Sequence, residues 1–252
     1  MTVSLHTITL NDGTIVPKLA YGTGTKWGKR NAVNPDAINP ELVESILTAL
    51  RAGFSHIDTA EGYGTEPEVG LAVGQYLKET GKPRSSVFIT TKVDFGPDSV
   101  VTIKQVWRDL EELVDAKLTR SIGVSNWRIQ NQTKVNQIEF HAYNQGLKLR
   151  EFADKEIGTT IAAYGPLQPL IHFAETGRVQ AVVNKIAERK GDGVTGSQVL
   201  LAWGWAVGTI QITTSSGTLD LVLTDDEVEE ISNAGAEYPN QRKFAVGKVF
   251  DD

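Results

Sequence analysis

The 252-residue chain contains no cysteine. Disulfides, thiolate metal sites and cysteine nucleophiles are therefore excluded, and the absence fits a reducing compartment. Positive charge is also scarce. Lys and Arg number 25 against 31 Asp and Glu, and basic runs stop at pairs such as Lys29-Arg30 and Arg242-Lys243. Binding a phosphate backbone needs clustered cations, so nucleic acid is not an expected partner. No apolar run approaches the ~20 residues of a membrane span. Met1 to Leu10 alternates polar and apolar residues and lacks the apolar stretch of a signal peptide. No His/Asp/Glu cluster has ligand spacing, so no metal is expected. Linkers and low-complexity segments are missing too. The expectation is one cytoplasmic domain over residues 1–252, off the membrane, as a monomer or weak homo-oligomer.

What is present is ordinary for a globular enzyme: 40% hydrophobic and 22% charged residues. Leu5 to Leu10 alternates as a strand, Asn11-Asp12-Gly13 supplies a tight turn, and Thr14 to Val16 returns. From Lys18 onward, short apolar strands alternate with amphipathic helices. Strands are expected near residues 20, 56, 89, 122, 137, 161 and 211. Helices are expected after the cap Asn39-Pro40, over Glu66 to Thr80, Thr102 to Asp115, Leu147 to Lys155 and Val179 to Arg189. Two more begin at capping boxes, Thr195/Gln198 and Thr224/Glu227. Such alternation predicts a parallel sheet with helices outside it. A closed (β/α)8 barrel needs eight strands. This sequence supplies seven, because Lys92 runs through a short loop straight into the helix at Thr102. The predicted architecture is a (β/α)8 TIM barrel with an N-terminal hairpin and one strand-helix unit absent.

In that architecture chemistry sits at the C-terminal ends of strands. Asp58 ends one strand, Lys92 ends the next, and Tyr63 follows Asp58 in its loop. Neighbouring strand ends lie side by side, so Asp58 and Lys92 are placed to pair. A lysine cation near a phenol favours the phenolate, and a tyrosine so tuned can give up a proton near neutral pH. The alternative is a structural ion pair beside a surface tyrosine. Lys92 also admits a second chemistry, as the Schiff-base lysine of an aldolase-type barrel.

These residues and their order resemble the aldo-keto reductase family. The Asp58–Tyr63 and Asp58–Lys92 spacings match its pattern, as does the first-strand turn Gly22-Thr-Gly-Thr-Lys-Trp27. Ser121-Ile-Gly-Val-Ser-Asn126 resembles its fifth strand, Asn136-Gln-Ile-Glu139 its sixth and Ala163-Tyr-Gly-Pro-Leu167 its seventh. The opening turn and Thr213-Thr-Ser-Ser216 are most similar to fungal members that reduce ketones and dicarbonyls. The resemblance implies an NADPH-dependent reductase of aldehydes or ketones, NADH being also admissible. It implies Tyr63 as proton donor, tuned by Asp58 and Lys92. Ser125, Asn126 and Gln137 would hold the nicotinamide carboxamide, and Tyr164 would stack on the ring. Gly165 and Leu167 would lie along the pyrophosphate, and Thr25, Thr214 and Ser215 would complete the cofactor site. Trp27 would shape the substrate pocket. Donor-plus-acceptor amides suit a carboxamide, and an aromatic plane suits a flat ring. Read alone, Tyr164 is better explained as a core residue, and Asn126 serves as well as a helix N-cap before Trp127-Arg128-Ile129.

Three departures stand out. The family's catalytic histidine lies between the Lys92 and Ser121 strands, and this chain has only His6, His56, His141 and His172. Family members carry about twice as many residues between that lysine and the Ser-Asn pair, which locates the missing unit. The segment after Ser216 omits the family's arginine for a 2′-phosphate. A cofactor-binding homologue with impaired catalysis is thus a further reading. The tail from Tyr238 to Phe250, with Arg242 and Phe244, is expected over the site.

Overall fold

The computed structural model describes residues 7–29, 32–93, 102–126, 134–152, 158–174, 177–214, 220–239 and 241–244. The chain opens with the expected hairpin, β1 (Thr7–Thr9) against β2 (Ile15–Pro17), with Ile8 opposite Val16. Gly13 at φ 83° and the Asp12 carboxylate, which accepts from the Thr14 amide at 2.9 Å, make the turn. Leu10 and Val16 pack with Ala20, Ala162, Ile210 and Ile212 of the sheet. The hairpin thus plugs the sheet at its N-terminal end.

Seven parallel strands follow: β3 (Leu19–Gly22), β4 (His56–Asp58), β5 (Phe88–Thr90), β6 (Val124–Ser125), β7 (Val135–Glu139), β8 (Thr160–Tyr164) and β9 (Ile210–Thr213). Their order is β5-β4-β3-β9-β8-β7-β6. The last strand lies beside the first, with Tyr21 opposite Thr213, which is the closing step of a barrel. Among the described residues the ring is open only between β5 and β6. That is where the sequence lacks its strand-helix unit. β6 was expected over Ser121 to Val124 but spans Val124–Ser125. Among the described residues it is paired with β7 on one side only, and Gly123 lies so close to Val135 that a Cβ would meet its carbonyl oxygen at 2.6 Å.

Helices surround the sheet: α1 (Pro40–Arg51), α2 (Glu66–Thr80), α3 (Ile103–Asp115), α4 (Leu147–Phe152), α5 (Gln168–Ile171), α6 (Val179–Lys190), α7 (Gly196–Ala206) and α8 (Asp225–Ala236). Local chemistry fixes their ends. Asn39 caps α1 through the Glu41 and Leu42 amides, and both predicted capping boxes form. Leu42, Ile46 and Leu50 of α1, Val69 and Val73 of α2 and Ile186 of α6 are buried in the main core, where Phe140 stacks on Trp203 at 5.5 Å. Each buried aliphatic side chain contributes about 1.5–3 kcal/mol. α3 differs. It has an apolar face of Val106, Leu110 and Leu113, yet none of its described side chains is fully buried. In chain order it lies between β5 and β6, the two strands that flank the open seam.

Candidate active site

Asp58 is the last residue of β4 and Lys92 follows β5 by two positions. The register pairs Asp58 with Thr90, and the Thr59 amide donates to the Thr90 carbonyl, so the two chain ends stay adjacent. Lys92 Nζ donates to both Asp58 oxygens, at 2.9 and 3.0 Å, and to the Thr59 carbonyl at 2.6 Å. These contacts use the three protons of an ammonium, so the lysine is held as a cation. A Schiff-base lysine must offer a free amine, which weighs against the aldolase chemistry. The same Nζ lies 5.1 Å from the centroid of the Tyr63 ring, within cation–π range. Tyr63 sits in a single 3-10 turn, Glu61–Tyr63, ended by Gly64 at φ 67°.

The support under this group is not evident from motif reading. Lys29 donates its amide to the Tyr63 carbonyl at 2.8 Å, and its ammonium pairs with Glu68 of α2 at 2.5 Å. Both side chains are buried, at 7% and 0% exposure. Lys29 Nζ also reaches the Ala37 carbonyl, and Glu68 accepts from the Asn39 amide. The first loop, the Tyr63 turn and the start of α1 are thereby locked together. Burial works to raise the Glu68 carboxyl, but the bonds from Lys29 and Asn39 outweigh it and hold the group below its ordinary value. Gly24 packs against the Tyr63 ring, where a Cβ would meet ring carbons at 2.6 Å. The hydroxyls of Thr23 and Thr59 both bond to that of Thr65, just after the turn.

Across the sheet, the second polar group also assembles. Ser125 of β6 pairs in register with Gln137 of β7, and its hydroxyl donates to the Gln137 carbonyl at 3.1 Å. Asn126 adopts φ 59°, the left-handed region, which is not the extended conformation of an N-cap. Its Oδ1 accepts from the Tyr164 hydroxyl at 2.9 Å. Gln137 Nε2 donates to Asp58 Oδ2 at 2.7 Å, so the two groups meet inside the ring. Burial, with help from the Glu139 charge, pushes the Tyr164 phenol up to about 12. That phenol stays protonated and suits a stacking plane, not a proton donor. Gly165 at φ 66° turns the chain toward Leu167 and α5, where the buried Gln168 Oε1 has no partner among the described residues. This arrangement fits a dinucleotide: amide groups beside an aromatic plane, then a left-handed glycine with an unspent acceptor oxygen next to it, which can take a hydroxyl proton of the cofactor. Thr25 and Thr214 are exposed, in the first loop and just after β9, and Trp27 is half-buried against the core. Ser215 lies outside the described residues, as does the tail from 245 to 252.

Neither buried histidine stands in for the family's missing one. His56 is fixed between the Pro17 carbonyl and the Thr90 hydroxyl, and His141 faces Glu139 at 3.3 Å. Burial pushes both imidazoles below their ordinary value.

Fold and site together define an enzyme of the (β/α) barrel class whose polar groups gather at the C-terminal strand ends. A model described as the Aldo/keto reductase family matches residues 18–102. An NAD/NADP-dependent indole-3-acetaldehyde reductase of Schizosaccharomyces pombe is 36% identical over 247 residues, covering 81% of this chain and 83% of that one. An NADPH-dependent alpha-keto amide reductase of Saccharomyces cerevisiae is 29% identical, over 94% of this chain and 93% of its own. That alignment runs to 295 residues, more than the 252 of this chain, so the relative carries internal residues that this chain lacks. A solved aldo/keto reductase from Brucella melitensis superposes with a TM-score of 0.74 at 26% identity, covering 92% of this chain and all of that one. The chain belongs to the aldo/keto reductase family.

Proposed function

We propose that this protein reduces aldehyde or ketone carbonyls to alcohols, with Tyr63 giving the proton to the carbonyl oxygen. As a family member it is an NAD(P)H-dependent oxidoreductase, and NADPH is its cofactor. When bound, NADPH supplies hydride to the carbonyl carbon. Ser125, Asn126 and Gln137 would hold its carboxamide, Tyr164 would take the ring face, and Gly165, Leu167, Thr25, Thr214 and Ser215 would line the remainder. Trp27 would bound the substrate side.

The observation that carries the proton-donor assignment is Lys92, which is bound to Asp58 while its charge lies 5.1 Å from the Tyr63 ring. A cation there stabilises the phenolate left after proton transfer, and Asp58 pins that cation in place. The test is NADPH oxidation, followed by absorbance, over a panel of aldehydes, ketones and dicarbonyls. Tyr63→Phe is expected to lower kcat by about 10²–10⁴ while leaving NADPH affinity unchanged. Full activity in Tyr63→Phe would refute the assignment. A second reading, cofactor binding with little turnover, is favoured by the histidines. Among the described residues, His56 and His141 are buried with other partners. NADPH fluorescence changes without any oxidation across the panel would establish it.

A further inference from the structure

We infer that Glu139 is a positioning residue: its carboxylate clasps the C-terminal segment at Lys243 and Phe244 and thereby sets Phe244 against Tyr164. Glu139 ends β7 and is 5% exposed. Its Oε1 accepts from the Lys243 amide at 2.6 Å, and its Oε2 accepts from the Phe244 amide at 3.1 Å. Two consecutive backbone donors on one buried carboxylate form a charge-assisted pair. The neighbouring residues extend the contact. The Gln241 amide donates to the Tyr143 carbonyl, and Arg242 Nε reaches Asn144 Oδ1 at 3.5 Å. Asn144 Nδ2 in turn donates to the Glu139 carbonyl at 2.6 Å. Residues 241–244 are thus fastened one after another to the stretch from 139 to 144.

His141 steadies the clasp. It is fully buried, its Nδ1 has no partner among the described residues, and its Nε2 faces Glu139. That pattern assigns the ring proton to Nε2, donated to the carboxylate. The consequence lies on the other side of the segment. The Phe244 ring meets Tyr164 edge-on, 5.6 Å between centroids at 74°, and lies beside Gly165, where a Cβ would come within 3.4 Å of it. Chain ends fray unless tied down, and Phe244 is itself 42% exposed. Without the carboxylate, nothing else described holds the Lys243 and Phe244 amides. Both Glu139 carboxylate oxygens are taken up by protein donors. Glu139 acts through Phe244, which buttresses the Tyr164 plane. This inference rests on the reading of Tyr164 as the face that receives the nicotinamide.

The experiment compares the wild-type chain with Glu139→Gln and Phe244→Ala. Hydrogen exchange is read at the Lys243 and Phe244 amides without cofactor. NADPH affinity is read by fluorescence, and kcat at saturating NADPH. A glutamine keeps the shape but offers one acceptor oxygen and an opposing NH₂. Exchange in Glu139→Gln is expected to accelerate about tenfold or more at those two amides and to stay unchanged in the core. The NADPH dissociation constant should rise about tenfold in both variants, without further loss in the double variant, while kcat at saturation stays within about twofold. Phe244 is half-exposed, so its alanine variant folds regardless of how Glu139→Gln behaves. Unchanged exchange in Glu139→Gln, or unchanged affinity in Phe244→Ala, overturns the clasp. Failure of the functional reading looks different: wild-type protein would not bind NADPH at all, while the exchange difference would still decide whether Glu139 holds the segment.

Discussion

Removing Glu68 tests the buried support beneath Tyr63. In Glu68→Ala the Lys29 ammonium, 7% exposed, would keep, among the described residues, only the Ala37 carbonyl at 2.8 Å. Stranding one partner of a buried pair costs about 3–5 kcal/mol. For a chain of this length each kcal/mol moves the melting temperature by about 2–4 °C, so the expected fall is on the order of 10 °C. The Asn39 amide also loses its acceptor, which adds to the loss. The companion variant Lys29→Met/Glu68→Leu removes both charges and fills the space. Replacing a whole buried pair by apolar groups is often neutral, so most of the stability should return. The assay is thermal unfolding by circular dichroism, with kcat read on the same samples. Lys29 also holds the Tyr63 carbonyl through its backbone, so Glu68→Ala should lower kcat as well as stability. A Glu68→Ala variant that melts within 2 °C of wild type, as a surface pair would allow, would refute the reasoning.

Gly24→Ala should cut kcat by roughly 10², because its Cβ would displace the Tyr63 ring that now lies 2.6 Å from that site. Turnover within about twofold of wild type would contradict the packing. The protein should also lose stability as pH falls below 6.5. His56 and His141 are held neutral by burial, so their folded-state values lie under that figure and the unfolded chain takes up protons first. Glu68 and Glu139 are held low in the fold, and their contributions are lost further down, as pH passes through their folded values. Melting temperature measured from pH 7.5 to 5 checks the histidine part, and a flat profile would rule it out.

Much of this was legible in the sequence because the signals are local. α2 has the predicted bounds: Pro67 opens it and Gly81, at φ 67°, stops it. Asp58, Lys92 and Tyr63 are readable because strand ends in a parallel sheet face one way. The missing unit between Lys92 and Thr102 reappears as an open seam. What escaped notice depends on distant partners. Nothing in the spacing of Lys29 and Glu68 announces that both are buried and paired. Glu139 was visible within Asn136-Gln-Ile-Glu139, but its function needs backbone donors 104 and 105 positions away. The β6 boundary shifted because a strand paired on one side has little to define its start.

The open seam changes how the sheet carries load. A closed ring of strands is a hoop, stiff because tension runs all the way around. With no strand between β5 and β6 among the described residues, this one is a clip. Its two lips carry different halves of the chemistry, Lys92 following β5 on one side and Ser125 with Asn126 on the other. The bond from Gln137 to Asp58 spans the interior as a chord, joining the strands just inside each lip. The opening of the clip and the separation of the two polar groups are therefore one mechanical variable. A molecule that grips both lips stiffens the clip as it binds.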